Sequence, residues 1–222
     1  ATGLSHGQQC QHCTAGHYCE TTGLLAPTGK CAAGHFCRSG ARLYAPQVNY
    51  ALGYSGDTCV DQSEWTDAAG DVCPMGHYCP TGAGAPIGCP AGTYSSTRMN
   101  RNASLCEPCS PGFVCPNVST VTPTMPCPSG FFCPGGQSDG REYPCPLGHY
   151  CVGGLSSPQR CAAGQYQNET ARAQCLVCPD GFFCVDGFIS ICPAGYYCPE
   201  GTGTDATACP AGTFSPAPGL HS

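Results

Sequence analysis

The chain has very few of the side chains that normally build a protein interior. Leu, Ile, Val and Phe together supply 30 of its 222 residues. That share is well under the roughly 20% below which a chain normally fails to build a packed core. Helical periods are equally scarce, because 31 glycines and 22 prolines interrupt every apolar run. Without cross-links, this composition would indicate disorder.

Positive charge and long apolar runs are also scarce. Lys30 is the only lysine, and eight basic residues against fourteen acidic ones give a net charge of −6. The charges form no basic patch, so we do not expect nucleic acid as a partner. No apolar run approaches the roughly 18 residues of a membrane span, and the first residues lack the pattern of a signal peptide. The chain is therefore interpreted as mature secreted material, or a piece of it, with no membrane span in this segment.

Cysteine is abundant instead, at 23 residues or about one in ten. This density is typical of disulfide scaffolds in oxidising compartments. A bridge that closes a loop of about 15 residues stabilises a fold by roughly 3 kcal/mol, because it restricts the unfolded chain. Ten or eleven bridges among the 23 cysteines are expected to replace the missing core.

The cysteines belong to a short repeat, Cys-x-x-Gly followed within two residues by an aromatic. Its eleven copies begin at Cys13, Cys31, Cys73, Cys89, Cys109, Cys127, Cys145, Cys161, Cys178, Cys192 and Cys209. In eight copies a second cysteine completes a Cys-x5-Cys hairpin, as in CPMGHYC (73–79), whereas the copies at Cys89, Cys161 and Cys209 lack it. Units this small cannot bury a core alone and are typical of stacked or beaded arrays.

The repeat predicts a small disulfide-rich fold. We expect it to be mostly irregular with short β-hairpins and little or no helix, its tandem cysteine-rich modules forming an elongated rod. The glycine at the fourth position permits a positive φ, so each unit is expected to contain a tight turn and a short two-stranded ribbon.

Three Cys-x2-Cys pairs punctuate the chain: Cys10/Cys13, Cys106/Cys109 and Cys175/Cys178. They divide it into three cysteine-rich blocks: 1–105, 106–174 and 175–222. Each block ends on a repeat copy without its second cysteine. At the start of the chain, the Cys10/Cys13 pair has no repeat copy before it. At the end, the repeat copy that begins at Cys209 has no Cys-x2-Cys pair after it. Each end is therefore expected to be half of a module, and the two halves are complementary. Either the chain is a window of a longer array, or copies join head to tail, which generates a fibre.

Residues 38–72 of the first block do not follow the cysteine repeat and are interpreted as a divergent insert. Its distinctive residues are Trp65, Tyr44, Tyr50, Tyr54 and the out-of-register Cys59. Exposed Trp and Tyr side chains often anchor interfaces, which makes the segment a candidate contact surface. Alternatively, its aromatics form a local satellite core.

Three sequons lie in polar stretches between cysteines, at Asn102 (NAS), Asn117 (NVS) and Asn168 (NET). A sequon is an acceptor for N-linked glycans and implies a surface position in a secreted protein. The three sites therefore predict a glycoprotein of a eukaryotic secretory pathway.

No pattern indicates chemistry. The Cys-x2-Cys pairs and the hairpin histidines could bind zinc, but secreted cysteines at this density oxidise. The histidines in question are His17, His35, His77 and His149. A nucleophile elbow, HExxH and a phosphate-cradling loop are all absent from the sequence. We therefore expect no enzymatic activity, no metal and no cofactor.

Two segments carry a family resemblance: CPAGTYSSTRMNRNASLCEPCSPGF (89–113) and CAAGQYQNETARAQCLVCPDGF (161–182). Both resemble the ephrin-receptor-like cysteine-rich repeats of extracellular proteins and, more distantly, tumour-necrosis-factor-receptor modules. The resemblance implies two disulfides: Cys89–Cys106 and Cys161–Cys175.

The remaining pairings stay open. Each hairpin could close on itself (Cys127–Cys133), interleave with the next (Cys109–Cys127 with Cys115–Cys133), or link forward (Cys133–Cys145). The odd cysteine count leaves at least one thiol unpaired or shared between chains. The candidates for that thiol are Cys10, Cys59 and Cys209.

The sequence as a whole favours an extracellular structural protein, a disulfide-laddered, glycosylated rod that assembles head to tail into a surface or extracellular filament. Its expected partners are further copies of itself and N-linked glycans. The alternative is a ligand-binding or adhesion ectodomain segment of a longer cell-surface receptor, in which the 38–72 insert binds the ligand.

Overall fold

The computed structural model describes residues 11–46 and 69–220. These residues contain only short antiparallel hairpins, one 3-10 turn at Ala103–Leu105, and no α-helix. The prediction of a helix-poor, disulfide-rich repeat of small hairpins is confirmed. The strands are β1 (His17–Tyr18), β2 (Gly29–Lys30), β3 (His35–Cys37), β4 (Gly70–Val72), β5 (His77–Tyr78), β6 (Ile87–Gly88), β7 (Thr93–Tyr94), β8 (Glu107–Pro108), β9 (Phe113–Val114), β10 (Met125–Pro126), β11 (His149–Tyr150), β12 (Gln159–Arg160), β13 (Gln165–Tyr166), β14 (Leu176–Val177), β15 (Phe182–Val185), β16 (Phe188–Ile191), β17 (Tyr196–Tyr197) and β18 (Thr207–Ala208).

Each strand that follows a repeat glycine pairs with the residues just before the next repeat cysteine. In the first unit, β1 pairs with β2, with His17 opposite Lys30, and Cys31 follows at once. Nine two-stranded sheets share this plan, and the isolated bridge Phe131–Pro144 supplies a tenth example. The two-stranded ribbon therefore extends beyond the Cys-x5-Cys hairpin, because its second strand lies directly before the first cysteine of the next unit.

The longest hairpin has a local cause. β15 and β16 are joined by Asp186 and Gly187, whose φ angles are 55° and 84°. Two consecutive positive φ values define the type I′ turn, whose twist matches that of paired strands and which favours Asp-Gly. Val185 and Phe188 flank the turn and face each other across it.

All eleven repeat glycines adopt positive φ angles, between 74° and 89°. They are Gly16, Gly34, Gly76, Gly92, Gly112, Gly130, Gly148, Gly164, Gly181, Gly195 and Gly212. Residues with a Cβ pay roughly 1–2 kcal/mol for this left-handed conformation, whereas glycine does not. The invariant glycine of the repeat is therefore a backbone requirement.

The same glycine joins its unit to the next. In the unit that begins at Cys127, the Gly130 N–H donates to the Cys151 carbonyl at 2.8 Å, and the Gly130 carbonyl accepts from the Cys145 N–H at 2.9 Å. Both bonds recur between nine pairs of successive units. The carbonyl that accepts the glycine N–H belongs to the sixth residue after the first cysteine of the next unit, whether or not that residue is a cysteine.

A second pair of backbone bonds runs beside the first. The Cys133 N–H donates to the Leu155 carbonyl at 2.9 Å, and the Gly154 N–H donates to the Cys127 carbonyl at 2.8 Å. Four hydrogen bonds therefore join these two units, and all of them are made by the backbone. Such a joint tolerates variation in the side chains between the cysteines.

Disulfide sulfur replaces the aliphatic core. Eighteen of the twenty-three buried apolar residues in the described part of the chain are cysteines. The other five are Ala32, Phe36, Ala41, Ala83 and Val114. Phe36 packs with Cys73 and Cys79, the bridge of the following unit. Phe36 is therefore one repeat aromatic that forms a small core against a neighbouring disulfide.

The chain divides into two compact units. One contains Ala1–Glu107 with Asn117–Thr122, and the other contains Pro108–Pro116 with Pro123–Ser222. Within the first unit, the Ser95 N–H donates to the Thr120 carbonyl at 3.0 Å. The boundaries of the three cysteine-rich blocks remain a prediction from the sequence.

The repeat glycines provide a matched pair of substitutions. A Cβ on Gly130 would overlap the carbonyl oxygen of Ala171, whereas a Cβ on Gly195 would meet nothing within 4 Å. Both alanine variants pay the left-handed penalty of about 1–2 kcal/mol, and a chain of this length loses about 2–4 °C of melting temperature per kcal/mol. We expect Gly130→Ala to lower the melting temperature clearly more than Gly195→Ala, as measured by thermal unfolding without reductant. Equal losses would contradict the close backbone approach at Gly130.

Candidate assembly site

Ten disulfides form among the described residues. Eight close the Cys-x5-Cys hairpins: Cys13–Cys19, Cys31–Cys37, Cys73–Cys79, Cys109–Cys115, Cys127–Cys133, Cys145–Cys151, Cys178–Cys184 and Cys192–Cys198. The other two are the bridges that the family resemblance implies: Cys89–Cys106 and Cys161–Cys175. The hairpins therefore close on themselves, and the interleaved and forward pairings are wrong.

Polar residues occupy the place of the second cysteine in the three incomplete copies. They are Ser95, Gln167 and Ser215, each six residues after the first cysteine. Ser95 and Gln167 are only 1% and 3% exposed. Their backbone carbonyls accept the N–H groups of Gly76 and Gly148, each at 2.8 Å. The unit-to-unit joint is therefore kept where the second cysteine is missing.

Side-chain hydrogen bonds replace the missing bridge in these units. Asn100, which is 4% exposed, donates to the Ser95 hydroxyl at 2.5 Å and to the His77 carbonyl at 3.2 Å. In the later unit, the Gln167 amide donates to the Gln174 carbonyl at 2.8 Å. Burying these polar groups requires such partners. The sequence analysis missed this role, although the fixed six-residue offset from the first cysteine marks the positions.

Cys209 is the one cysteine without a disulfide in the described part of the chain, and it is partly exposed. It takes the same place in its unit as Cys89 and Cys161 take in theirs, because all three begin copies without a second cysteine. The other two candidates for an unpaired or shared thiol, Cys10 and Cys59, lie outside the described residues.

The unit of Cys209 also has an unpaired strand edge. Thr213 and Phe214 follow its glycine but pair with none of the described residues, in contrast to their counterparts in the ten preceding units. The Phe214 side chain is 83% exposed. An open groove of about 450 Å³ lies here, lined by Tyr197, Cys209, Pro210, Thr213, Phe214 and Leu220.

The backbone of the same unit is open as well. In nine of the ten preceding units of the described residues, the repeat glycine donates to one carbonyl and accepts from one N–H of the next unit, as Gly164 does with Cys184 and Cys178 at 3.0 and 2.8 Å; Gly92 makes neither bond. Gly212 makes neither bond within the described part of the chain.

The first described residues, Gln11 and His12, lie directly before the first hairpin. Gln11 and His12 are exposed and belong to no strand of the described residues. They precede Cys13 as the strand Glu107–Pro108 precedes Cys109. Cys13 is already bonded to Cys19.

The candidate contact surface falls mostly outside the described residues, which include neither Trp65 nor Tyr50 nor Tyr54. Tyr44 is described and is 57% exposed. Its ring meets that of Tyr18 edge to face, with 5.7 Å between centroids. An exposed tyrosine with one aromatic neighbour fits either interpretation of the insert.

The three sequon asparagines are all exposed: Asn102, Asn117 and Asn168. The Asn102 side chain accepts hydrogen bonds from the N–H and hydroxyl of Ser104, at 3.1 and 2.6 Å. The hydroxyl of Ser119, in the second sequon, bonds to His77 Nε2 at 3.1 Å. All three positions can carry a glycan without displacing the disulfide core.

Among the described residues, no group of three or more His, Cys, Asp or Glu side chains is arranged to hold a metal ion. In the same part of the chain, no helix has the length and apolar character needed to cross a bilayer. No protein-family model matches the chain, and no curated protein matches it.

His35 differs from the other hairpin histidines because it is buried. It is 5% exposed, and neither ring nitrogen has a hydrogen-bond partner of good geometry among the described residues. Burial lowers the pKa of His35 below 6.5, and Arg101 acts in the same direction, while the Ala33 backbone and Asp71 oppose the shift. In contrast, His149 Nδ1 contacts the Leu147 carbonyl at 2.9 Å.

The buried imidazole predicts a loss of stability in acid. The unfolded chain binds a proton near pH 6.5, whereas folded His35 resists protonation, so its contribution holds above that pH and is lost as the pH falls toward the folded pKa. We expect His35→Phe to reduce the decrease in melting temperature between pH 7 and 5. Phe is the repeat's own alternative, because Phe131 and Phe182 stand at the same position. The control His149→Phe should retain the decrease, and an unchanged pH profile of His35→Phe would contradict the assignment.

Proposed function

We propose that this is an extracellular structural protein, a disulfide-laddered, glycosylated array that assembles head to tail into a surface or extracellular filament. The observation that carries the proposal is the way in which each unit is completed by its successor. The next unit supplies the second strand of the hairpin and, in nine joints of the described residues, backbone partners for the repeat glycine. An array in which units bond to their successors in the same way becomes longer with each added unit.

The extracellular assignment is supported by the core. The eighteen buried cysteines leave few other apolar side chains inside, so reduction would remove most of what holds each unit together. Disulfides of this kind form and persist in oxidising compartments. The exposure of the three sequon asparagines is compatible with glycans on the surface of such an array.

The proposal assigns no catalysis and no cofactor. Four buried polar side chains, Ser95, Asn100, Gln137 and Gln167, are used in hydrogen bonds within their own unit or to the preceding one. Gln137, for example, accepts from the Gly135 N–H at 2.7 Å. Their hydrogen bonds satisfy the backbone or replace a bridge, which is a structural use of polarity.

Size distinguishes this function from that of a receptor ectodomain. The native, secreted chain should sediment as a polymer much larger than its 22.8 kDa mass, and a reductant should convert it to unfolded monomers because the core is made of disulfides. Analytical ultracentrifugation before and after reduction measures both changes. A monodisperse monomer that binds a cell-surface ligand, with binding lost in Trp65→Ala, would contradict the proposal and favour the ectodomain.

Glycosylation gives a separate prediction. We expect the protein secreted from eukaryotic cells to carry N-linked glycans at Asn102, Asn117 and Asn168. Each Asn→Gln variant should then lose one glycan. The mass that enzymatic deglycosylation removes, measured by intact mass spectrometry before and after the treatment, should therefore be smaller by one glycan than in the unchanged protein. Secretion with an unmodified mass would contradict passage through a glycosylating compartment.

A further inference from the structure

We infer that folding makes one of the three sequons inaccessible to N-glycosylation: Asn117 accepts a glycan only before the units of Cys73 and Cys89 close, whereas Asn168 remains an acceptor in the folded chain. The inference rests on the proposed glycosylation of this chain and adds its regulation, because the rate of folding then sets how many copies carry a glycan at Asn117. It follows from the contacts of each sequon hydroxyl in the folded protein.

The hydroxyl of a sequon is a group that its modification needs. Ser and Thr are the residues accepted at the third position of the sequon, and the feature they share is a hydroxyl on Cβ. The oligosaccharyltransferase must therefore contact this hydroxyl while it modifies the asparagine. A hydroxyl that another part of the folded chain holds is not available for that contact.

His77 holds the hydroxyl of the second sequon. His77 Nδ1 lies 2.9 Å from the Met75 carbonyl oxygen, which can only accept, so Nδ1 carries the proton of the neutral ring. Nε2 is then an acceptor, and the Ser119 hydroxyl donates to it at 3.1 Å. The two residues are 42 positions apart in the sequence, so only folding brings them together.

The backbone of Ser119 is fixed at the same place. Its N–H donates to the Cys89 carbonyl at 2.9 Å. A Cβ on Gly88 would overlap the Ser119 hydroxyl oxygen, so this oxygen lies directly against the backbone of β6. A transferase could bind the hydroxyl only after Ser119 had left both hydrogen bonds.

Other units show that this joint does not need a serine. In nine units of the described residues, one residue after the sixth position donates its N–H to the first cysteine of the preceding unit. Ser119 does so with a φ of 62°, a conformation that costs a serine more than a glycine. Serine therefore adds one group to a standard joint, the hydroxyl that the sequon and His77 both use. Six of the nine residues are glycines with φ angles of 78–87°: Gly40, Gly82, Gly136, Gly154, Gly201 and Gly219.

The third sequon is open in the folded chain. Asn168 and Thr170 are both exposed, and the Thr170 hydroxyl makes no hydrogen bond within the described part of the chain. The residue between them bonds only locally, since the Glu169 N–H donates to Gln167 Oε1 at 3.1 Å. The transferase can therefore reach the asparagine and the hydroxyl together.

The first sequon is also free of contacts with another unit through its hydroxyl. The Ser104 hydroxyl donates to Asn102 Oδ1 at 2.6 Å, and both residues are exposed. Binding to the transferase would break only this local contact. We therefore expect Asn102 to resemble Asn168 rather than Asn117.

The order of synthesis brings folding and modification of Asn117 into competition. His77 and Cys89 precede Asn117 in the chain, so the groups that hold Ser119 are already present when the sequon is made. The Cys73–Cys79 bridge spans only six positions and can close early. A chain modified before closure can still fold, because the Asn117 side chain is exposed.

The modification is a group transfer from a lipid-linked donor. The carboxamide nitrogen of Asn117 attacks C1 of an oligosaccharide that is attached to a lipid pyrophosphate. The N–C1 bond forms, and the C1–O bond to the pyrophosphate breaks. The carboxamide loses one proton to a base, and the lipid pyrophosphate leaves with the electron pair of the broken bond.

Glycan transfer to the folded chain tests the inference. The full chain is secreted by eukaryotic cells in the presence of an inhibitor of lipid-linked oligosaccharide synthesis, so that it folds without glycans. It is then incubated with purified oligosaccharyltransferase and a lipid-linked oligosaccharide, and peptide mass spectrometry measures the occupancy of each sequon. The same reaction on the reduced, unfolded chain gives the intrinsic preference of the transferase for the two sequences.

The ratio of transfer at Asn117 to transfer at Asn168 is the decisive quantity. We expect this ratio to be about tenfold lower in the folded chain than in the reduced chain, because the Ser119 hydroxyl must first leave the hydrogen bonds of the fold. An equal ratio in the two chains would overturn the inference. Absence of transfer to every sequon of the folded chain would overturn it as well, since Asn168 is expected to remain an acceptor.

A variant tests the hydrogen bond that holds the hydroxyl. His77→Phe removes the acceptor, and Phe stands at the same repeat position in Phe131 and Phe182. We expect it to raise the ratio of the folded chain, whereas the control His149→Phe should leave that ratio unchanged. A ratio that His77→Phe does not change would overturn the role of the hydroxyl bond. If His77→Phe is not secreted, the folded and reduced forms of the unchanged protein still decide the question.

Failure of the inference is distinguishable from failure of the proposed function. Glycans at Asn102 and Asn168 of the normally secreted protein, together with an equal ratio in the folded and reduced chains, would overturn the inference and leave the glycoprotein standing. A protein secreted without the inhibitor and with an unmodified mass would overturn both.

Discussion

The left-handed glycine of the repeat is the constraint on which the rest of the structure depends. Its positive φ turns the chain directly after the first cysteine, so that the second cysteine returns to close the hairpin. In nine units the same turn directs the glycine N–H and carbonyl toward the following unit, where they bond to the backbone at both cysteine positions. Local closure and unit-to-unit bonding therefore share one residue, which explains why that residue never varies in the chain while its neighbours do.

The cysteine content and the glycine position were enough to predict the fold class, because both act locally and independently of side-chain packing. The resemblance of 89–113 and 161–182 to a known repeat implied two bridges that the structure contains. The second strand of each ribbon was not predictable, because two-residue strands such as Gly29–Lys30 have no periodicity to detect. The hairpin pairings stayed open for a related reason, since spacing alone permits several connectivities.

In the candidate site too, some features could be predicted by comparing repeat copies in the sequence, whereas others depend on contacts that only the structure shows. Cys209 could be proposed as an unpaired or shared thiol by comparing repeat copies, and the described structure leaves it without a bridge. The unpaired Thr213–Phe214 edge could not be proposed, because it becomes visible only when ten other units show what normally occupies that position. The roles of Ser95 and Asn100 likewise depend on three-dimensional contacts between residues of ordinary polarity.

Borrowing the second strand from the following unit has a consequence for synthesis. A ribosome delivers the chain from its N terminus, so a newly made unit can close its short disulfide but must wait for the next stretch of sequence before its sheet forms. For the first unit this means that Tyr18 waits for Gly29. The array would then fold in order from the N terminus, with one incomplete unit at the growing end and completed units before it. Contacts of such short range avoid the long searches that slow other β-rich chains, and they let an array gain or lose units during evolution without a new folding problem.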